Sequence, residues 1–393
     1  MGETDKHQNK VKILIAGDFV PMARLVPLYD QERYAEVLGK VAPYFKDADY
    51  SIVNLECPVV DGEGTPIVKQ GPNLKCSSKA VAALKYMGCK CTTLANNHFR
   101  DYGDEGCLYT LNVLNYNGID VVGGGKDLTQ AKGILYKEIS GRTFAFVNFC
   151  EHEFSIATET QAGSAPLDLI DNYKQITEVR NKADYVIVIV HGGHEHYQLP
   201  SPRMKKTYRW FTEIGADTVI NHHQHCYSGY EVYKGKPIFY GLGNFCFDGN
   251  RSGKDIWYEG YMIELTVESQ ESEVKSLGYK LIPYIQCKEE LAVIPMIGED
   301  EKNFFNNIEG LNAIIQDDTQ LAAEFDKWCK HRAPVYTKVL APLSNNRWVE
   351  ALRRRGFFRW SLSEKKRLYL TNLIECESHY DVFKEYLKNE HHA

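Results

Sequence analysis

Apolar residues in this chain gather in short dense runs, and several runs stop abruptly at a residue able to hold a metal. The densest is Val186-Ile187-Val188-Ile189-Val190, five β-branched residues that end at His191-Gly192-Gly193-His194-Glu195-His196. A run without polar alternation predicts a strand buried on both faces, as in the middle of a layered α/β domain. The pattern returns at 217–221, followed by His222-His223-Gln224-His225. Three earlier runs predict further strands. Residues 12–16 end in Gly17-Asp18, residues 50–53 in Asn54-Leu55-Glu56, and residues 91–94 in Ala95-Asn96-Asn97-His98.

Between these runs the apolar spacing lengthens to that of helices, over about 32–45, 78–87, 104–116, 168–181 and 202–214. Two hairpins are predicted, one around Ser140-Gly141-Arg142 and one around Lys234-Gly235-Lys236, with an antiparallel pair over 260–267 and 274–285. The segment 61–76, rich in glycine and proline and carrying Lys69, is a long loop of the kind that often serves function. Gly123-Gly124-Gly125-Lys126 lacks the Lys-Ser/Thr ending of a phosphate loop and is read as a turn. From about residue 298 strand signals give way to helical spacing. The expected division is a disordered N-terminus over 1–10, an α/β domain over 11–297 and a helical region over 298–393. That last region holds the most basic stretch, Arg347, Arg353-Arg354-Arg355, Arg359 and Lys365-Lys366-Arg367, interleaved with Trp348, Phe357, Phe358 and Trp360. It is read as a solvated helix face with core aromatics.

Composition narrows the picture. The 393 residues are 44% hydrophobic, enough for a substantial core, and a net charge of −6 gives no reason to expect nucleic acid as a partner. The polar first ten residues lack the apolar core of a signal peptide, and Lys6 stands where a myristoylation signal needs Ser or Thr. No run approaches the roughly 18 apolar residues of a transmembrane helix. The eleven cysteines, single apart from Cys89-Lys90-Cys91, fit neither a zinc ribbon nor a disulfide framework. They read as reduced thiols, and a cytoplasmic location is expected.

The chemistry lies at the strand ends. Asp18, Asn54 with Glu56, Asn97 with His98, His191, and His223 with His225 each follow an apolar run, and open α/β sheets place their ligands at the carboxyl ends of strands. Six of the thirteen histidines fall between His191 and His225. Carboxylates, an amide oxygen and imidazoles together suit one or two ions such as Mn, Fe or Zn. Two ions about 4 Å apart would clamp a phosphoryl group and lower the pKa of a shared water.

As a set, Gly17-Asp18, Asn54-Leu55-Glu56, Leu94-Ala95-Asn96-Asn97-His98 with Asp101-Tyr102-Gly103, His191-x-Gly193-x-Glu195, His223-x-His225 and Tyr240-Gly241-Leu242-Gly243-Asn244-Phe245 resemble the capsule (poly-γ-glutamate) synthesis proteins of the CapA/PgsA type. These belong to the calcineurin-like metallophosphatase superfamily, and the resemblance covers about residues 11–285. It implies a metallophosphatase-like four-layer α-β-β-α sandwich, here with a C-terminal helical extension. It also implies that Asp18 and His225 hold one metal and Asn97, His191 and His223 the other, with Glu56 bridging. By the same resemblance His98 is the catalytic histidine, and Asn54, Lys69, Asp101, Glu195 and Asn244 face the substrate or support the ligands. Lys69 is the residue expected to meet an anionic substrate. Where the superfamily opens with Asp-x-His, this chain has Asp18-Phe19-Val20, so one histidine ligand is absent. Asn221 replaces the usual glycine, and His194 and His196 are additional. The functional expectation is a metal-dependent hydrolase acting on a phosphoester or acidic polymer. Two alternatives stay open: a non-catalytic accessory component of a polymer-synthesis assembly, and a metal-dependent amide hydrolase acting on γ-glutamyl links.

Overall fold

The computed structural model describes residues 10–249, 255–268, 276–337, 355 and 363–389. The first half runs through β1 (Lys10–Val20), α1 (Val26–Asp30), α2 (Tyr34–Leu38), α3 (Ala42–Asp47), β2 (Tyr50–Leu55), α4 (Ser78–Met87), β3 (Cys91–Thr93), α5 (Gly103–Tyr116) and β4 (Asp120–Val122). Next come β5 (Gly124–Gly125), α6 (Leu128–Ala131), β6 (Leu135–Ile139), β7 (Arg142–Cys150), β8 (Gly163–Ser164), α7 (Leu169–Arg180), β9 (Tyr185–His191) and α8 (Pro202–Ile214). The strands finish with β10 (Thr218–His222), β11 (Tyr230–Tyr233), β12 (Lys236–Phe239), β13 (Asn244–Phe247), β14 (Glu259–Glu268), β15 (Ser276–Gln286) and β16 (Val293–Pro295). Four helices follow: α9 (Glu299–Gln316), α10 (Asp318–Thr337), α11 (Glu364–Glu375) and α12 (Glu377–Asn389).

Two sheets face each other. One has the order β16-β15-β14-β1-β2-β3-β4, with β13 pairing the end of β1; the other has the order β11-β12-β10-β9-β7-β6. Strands β1 to β4 run parallel, as do β7, β9, β10 and β12, so functional residues at their carboxyl ends emerge on the same side of each sheet.

Side-chain alternation makes the layers. Along β1, Ile13 and Ile15 point into the core between the sheets, where they join Ile52, Phe146, Ile187 and Ile189. Leu14 and Ala16 point the other way and pack with Val37, Phe45, Val81 and Leu84 of the first helical layer. Along β9, Val186, Val188 and Val190 pack against Ile176, Val179, Met204 and Phe211 of the second helical layer. The unbroken apolar run of β9 therefore serves two cores at once, and the fold is a four-layer α-β-β-α sandwich. Helices α9 to α12 share these cores: Phe304 and Ile308 reach the inter-sheet core, while Phe325, Leu373 and Val382 join the outer one.

Three local differences from the sequence reading have physical causes. The helix expected over 32–45 is broken after Leu38. Pro43 has no N–H for the preceding turn and instead sits in the first turn of α3. Strand β1 does not stop before Gly17 but continues to Val20, with its register shifting around Asp18. Such an irregularity re-aims a side chain, here the Asp18 carboxylate. Gly17 is required there because a Cβ would stand 1.9 Å from the Gly243 carbonyl oxygen. Finally, Gly124-Gly125 forms a two-residue strand with β8.

All eleven cysteines are buried and unbridged. Among the described residues, no helix is long and apolar enough to cross a membrane. Residues 1–9 lie outside the described residues. So does most of the basic stretch, Arg347, Arg353, Arg354 and Arg359 with its four aromatics; Lys365-Lys366-Arg367 lies in α11.

Candidate metal centre

The six residues singled out as ligands converge although the chain separates them by up to two hundred positions. Parallel pairing places Asp18 beside Asn54, and His222 beside His191, so the ends of β1, β2, β9 and β10 deliver their polar residues together. Two groups result, Glu56 with His191 and His223, and Asp18 with Glu56 and His225. In each group one ligand atom per residue lies within 4.8 Å of the others. Glu56 belongs to both. Its Oε1 is 3.5 Å from His191 Nε2 and 3.8 Å from His225 Nε2. Asn97 joins the first group, with Oδ1 3.0 Å from His191 Nε2, and His223 Nδ1 lies 3.1 Å from the same nitrogen. The groups are unequal: four residues surround the first and three the second, where the chain has Val20 instead of a histidine.

The supporting contacts are specific. Asn54 donates from Nδ2 to Asp18 Oδ1 at 2.7 Å and lies 3.2 Å from His191 Nδ1. Its own Oδ1 accepts from Thr93 and Asn96, which fixes the amide orientation. Asn244 donates from Nδ2 to the His225 and Trp257 carbonyls, so its Oδ1 is the acceptor 3.0 Å from His225 Nδ1. That hydrogen bond puts the His225 proton on Nδ1 and leaves the Nε2 lone pair facing Glu56. The backbone is also held unusually, with φ of +92° at His223 and +54° at His225. Left-handed conformations at non-glycine residues persist where surrounding structure enforces them, and they gather at functional sites. Replacing Asn244 with alanine is expected to weaken metal binding by about 10–100-fold with the fold intact. Calorimetric titration of metal into the variant checks this, and unchanged affinity would deny Asn244 any part in orienting His225.

The electrostatics call for a cation. Asp18 and Glu56 are both buried. Burial pushes the Asp18 carboxyl up to about 6, despite the Asn54 hydrogen bond. Burial, then the neighbouring Asp18 charge, pushes Glu56 well above the usual carboxylate range. Burial also disfavours the charged forms of two imidazoles, lowering His225 to about 3 and His191 well below its ordinary value. Both Glu56 oxygens are buried without a hydrogen-bond donor. Carboxylates lacking positive charge, facing neutral imidazoles with lone pairs, are the donor set of a divalent ion. The residues present fit such ions.

His98 stands at the edge of this group. Its Nδ1 is 2.6 Å from Asp101 Oδ2, and Lys69 Nζ is 3.1 Å from the same nitrogen. Lys69 is ion-paired with Asp101 and only 2% of its side chain is exposed. Its side chain is thus packed behind His98. Glu195 is about half exposed and makes no hydrogen bond to a ligand histidine; its closest ionic contact is His196 at 3.9 Å. Of the two additional histidines, His194 is buried against Phe325 and Tyr197, and His196 stacks near Trp257.

The C-terminal helices reach the rim of the cleft. A cavity of about 80 Å³ is lined by His223 and Glu195 on one side and by Trp328, Arg332, Ser378 and His379 of α10 and α12 on the other. Glu151 ties the two sides together. It accepts from Gly193 N at 3.2 Å and Arg203 at 2.6 Å, and from the Ser378 hydroxyl. Sequence reading missed Asn96, although it donates to Asn54 and Leu55 and accepts from His98 N.

Two facing sheets flanked by helices, with carboxylates, an amide and imidazoles meeting at parallel strand ends, define a four-layer α/β protein with a candidate metal centre. The chain belongs to the family described as bacterial capsule synthesis protein PGA_cap, whose pattern it matches over residues 12–249. It is 32% identical over 251 residues to the capsule biosynthesis protein CapA of Bacillus anthracis, covering 62% of this chain and 61% of that protein. It is 32% identical over 253 residues to the PGA biosynthesis protein CapA of Bacillus subtilis, covering 63% and 67%. The match thus spans less than two thirds of the Bacillus anthracis relative. Among solved structures, a phosphatase from Mycoplasma pneumoniae aligns over 76% of this chain and 99% of its own, with 15% identity and a TM-score of 0.43.

Proposed function

We propose that the chain is a metal-dependent hydrolase acting on an anionic ester, most directly a phosphoester, within the metabolism of a capsule or poly-γ-glutamate polymer. The observation that carries this reading is Glu56, a buried carboxylate shared by two ligand groups and lacking any hydrogen-bond donor. Asp18 and His225 would hold one divalent ion, and Asn97, His191 and His223 the other, with Glu56 between them. Ions bound there would supply Lewis-acid polarisation of the phosphoryl group and activation of water. The protein's own contributions are positional and acid–base. Asn54 and Asn244 orient Asp18 and His225, and the cover of α10 and α12 limits water around the cleft. His98 Nδ1–H donates to Asp101, which Lys69 also pairs, and this leaves Nε2 to hand a proton to the departing oxygen when the ring is protonated.

The capsule link comes from the two Bacillus relatives, whose names place them in capsule and PGA biosynthesis. The test is turnover of phosphomonoesters, phosphodiesters and poly-γ-glutamate by the purified chain with added manganese, beside Asp18→Ala and His223→Ala. Manganese-dependent phosphate release, reduced at least about 100-fold in both variants, is expected. Cleavage of γ-glutamyl links alone would establish the amide-hydrolase reading instead. Tight metal binding with no turnover of any substrate would establish an accessory role.

A further inference from the structure

A second group of metal-competent side chains lies outside the cleft, where the C-terminal helices meet the loop after β7. Glu153, Cys376 and His379 each offer one ligand atom, and the three atoms lie within 4.8 Å of one another. Cys376 Sγ is 4.0 Å from Glu153 Oε1. Zinc bonds of roughly 2.0–2.3 Å to S, N and O place tetrahedral ligands nearly 4 Å apart, so modest side-chain closure completes the arrangement. We propose that Glu153, Cys376 and His379 bind a divalent transition ion, with zinc the best match, and that this ion fastens the C-terminal helices to the rim of the metal cleft.

Three observations support the assignment independently of the cleft. The donor set mixes thiolate, imidazole and carboxylate, which favours zinc over the hard ions magnesium and calcium. The thiol is buried, and among the described residues Glu153 makes no ion pair. An ion bound in that hollow would take the sulfur as thiolate, its proton leaving to solvent.

The two segments are also already aligned. Glu151 accepts from Ser378, and His152 Nδ1 is 2.7 Å from Glu377 Oε1, so the two loop residues preceding Glu153 grip the two residues following Cys376. Arg203 joins Glu151 to Asp381 one turn further along α12. The ligands therefore need little ordering on binding. His379 serves both places, since it also lines the small cavity that reaches His223. Cys376 and His379 lie beyond residue 249, where the family match ends. The site is thus a property of this chain's C-terminal helices and does not depend on the proposed hydrolysis.

Cobalt(II) tests it, because no candidate ligand of the cleft is a cysteine. The cobalt-loaded full chain is expected to show a thiolate-to-cobalt charge-transfer band in the near ultraviolet. The band should vanish in Cys376→Ser and persist in Glu56→Ala, with zinc content lower by one ion per chain in Cys376→Ser. Absence of the band from the unaltered chain, or its survival in Cys376→Ser, overturns the proposal. Should Cys376→Ser fail to fold, His379→Gln replaces it, and an unaltered band in that variant overturns the proposal equally.

Discussion

Replacing Glu56 with alanine is expected to abolish metal-dependent turnover, by roughly 10³-fold or more, and to empty both positions of the cleft together. No other residue belongs to both ligand groups. Loss of Asp18 or His223 touches one group each, whereas loss of Glu56 removes a carboxylate from both. The buried position of Glu56 makes the same point energetically: its oxygens have no donor, so the carboxylate is stabilised by a cation or remains protonated. Elemental analysis and activity with added manganese check this. Retention of two ions by Glu56→Ala would show that the bridge is not where the geometry puts it. Proton competition gives a linked expectation. The Asp18 carboxyl is raised from 3.8 to about 6, so in the absence of metal its contribution to stability is fully present below 3.8 and lost as pH rises through about 6. Metal needs the deprotonated form. Apparent metal affinity should therefore fall below about pH 6, by about tenfold per unit for each proton taken up.

Replacing His98 with alanine is expected to lower turnover by about 10²–10⁴-fold while leaving the metal content unchanged. His98 reaches toward the cleft from the loop after β3 but belongs to neither ligand group; its Nδ1 is engaged by Asp101, which Lys69 also pairs. The contrast with Glu56→Ala is the informative part, because one variant loses the ions and the other keeps them. Substrates with good leaving groups should suffer less in His98→Ala, since they need no proton. If His98→Ala lost metal as well, the residue would be a support of the site and not its acid. Burial, then the Lys69 charge, lowers the His98 pKa below its ordinary 6.5. Removing Lys69 should accordingly shift the alkaline limb of the pH profile, where His98 loses its proton, to higher pH.

The strands that carry Asp18, Glu56, His191 and His223 were legible because a sheet buried on both faces writes an unbroken apolar run, and the residue ending such a run stands out. The family resemblance rested on those same ends. Helix limits were legible where capping was local, as at Asp168 and Ser201, and failed at 32–45, where Pro43 forces a restart within an otherwise helical pattern. Lys69 illustrates the limit in the other direction. A lysine in a glycine- and proline-rich loop carries no local sign of burial, yet its side chain is buried because Asp101, brought by a different segment, supplies its partner.

The sequence alone determined the layered α/β class and the identity of the ligand types, since both are recorded in local periodicity and in single residues at strand ends. Only the tertiary structure decided that Asn244 sets the tautomer of His225, that the Lys69 side chain is buried behind His98, and that Glu151 ties Gly193 to Ser378 of α12. Those facts depend on distances between residues far apart in the chain. Parallel strand pairing and inter-sheet packing fix such distances, and no local pattern encodes them.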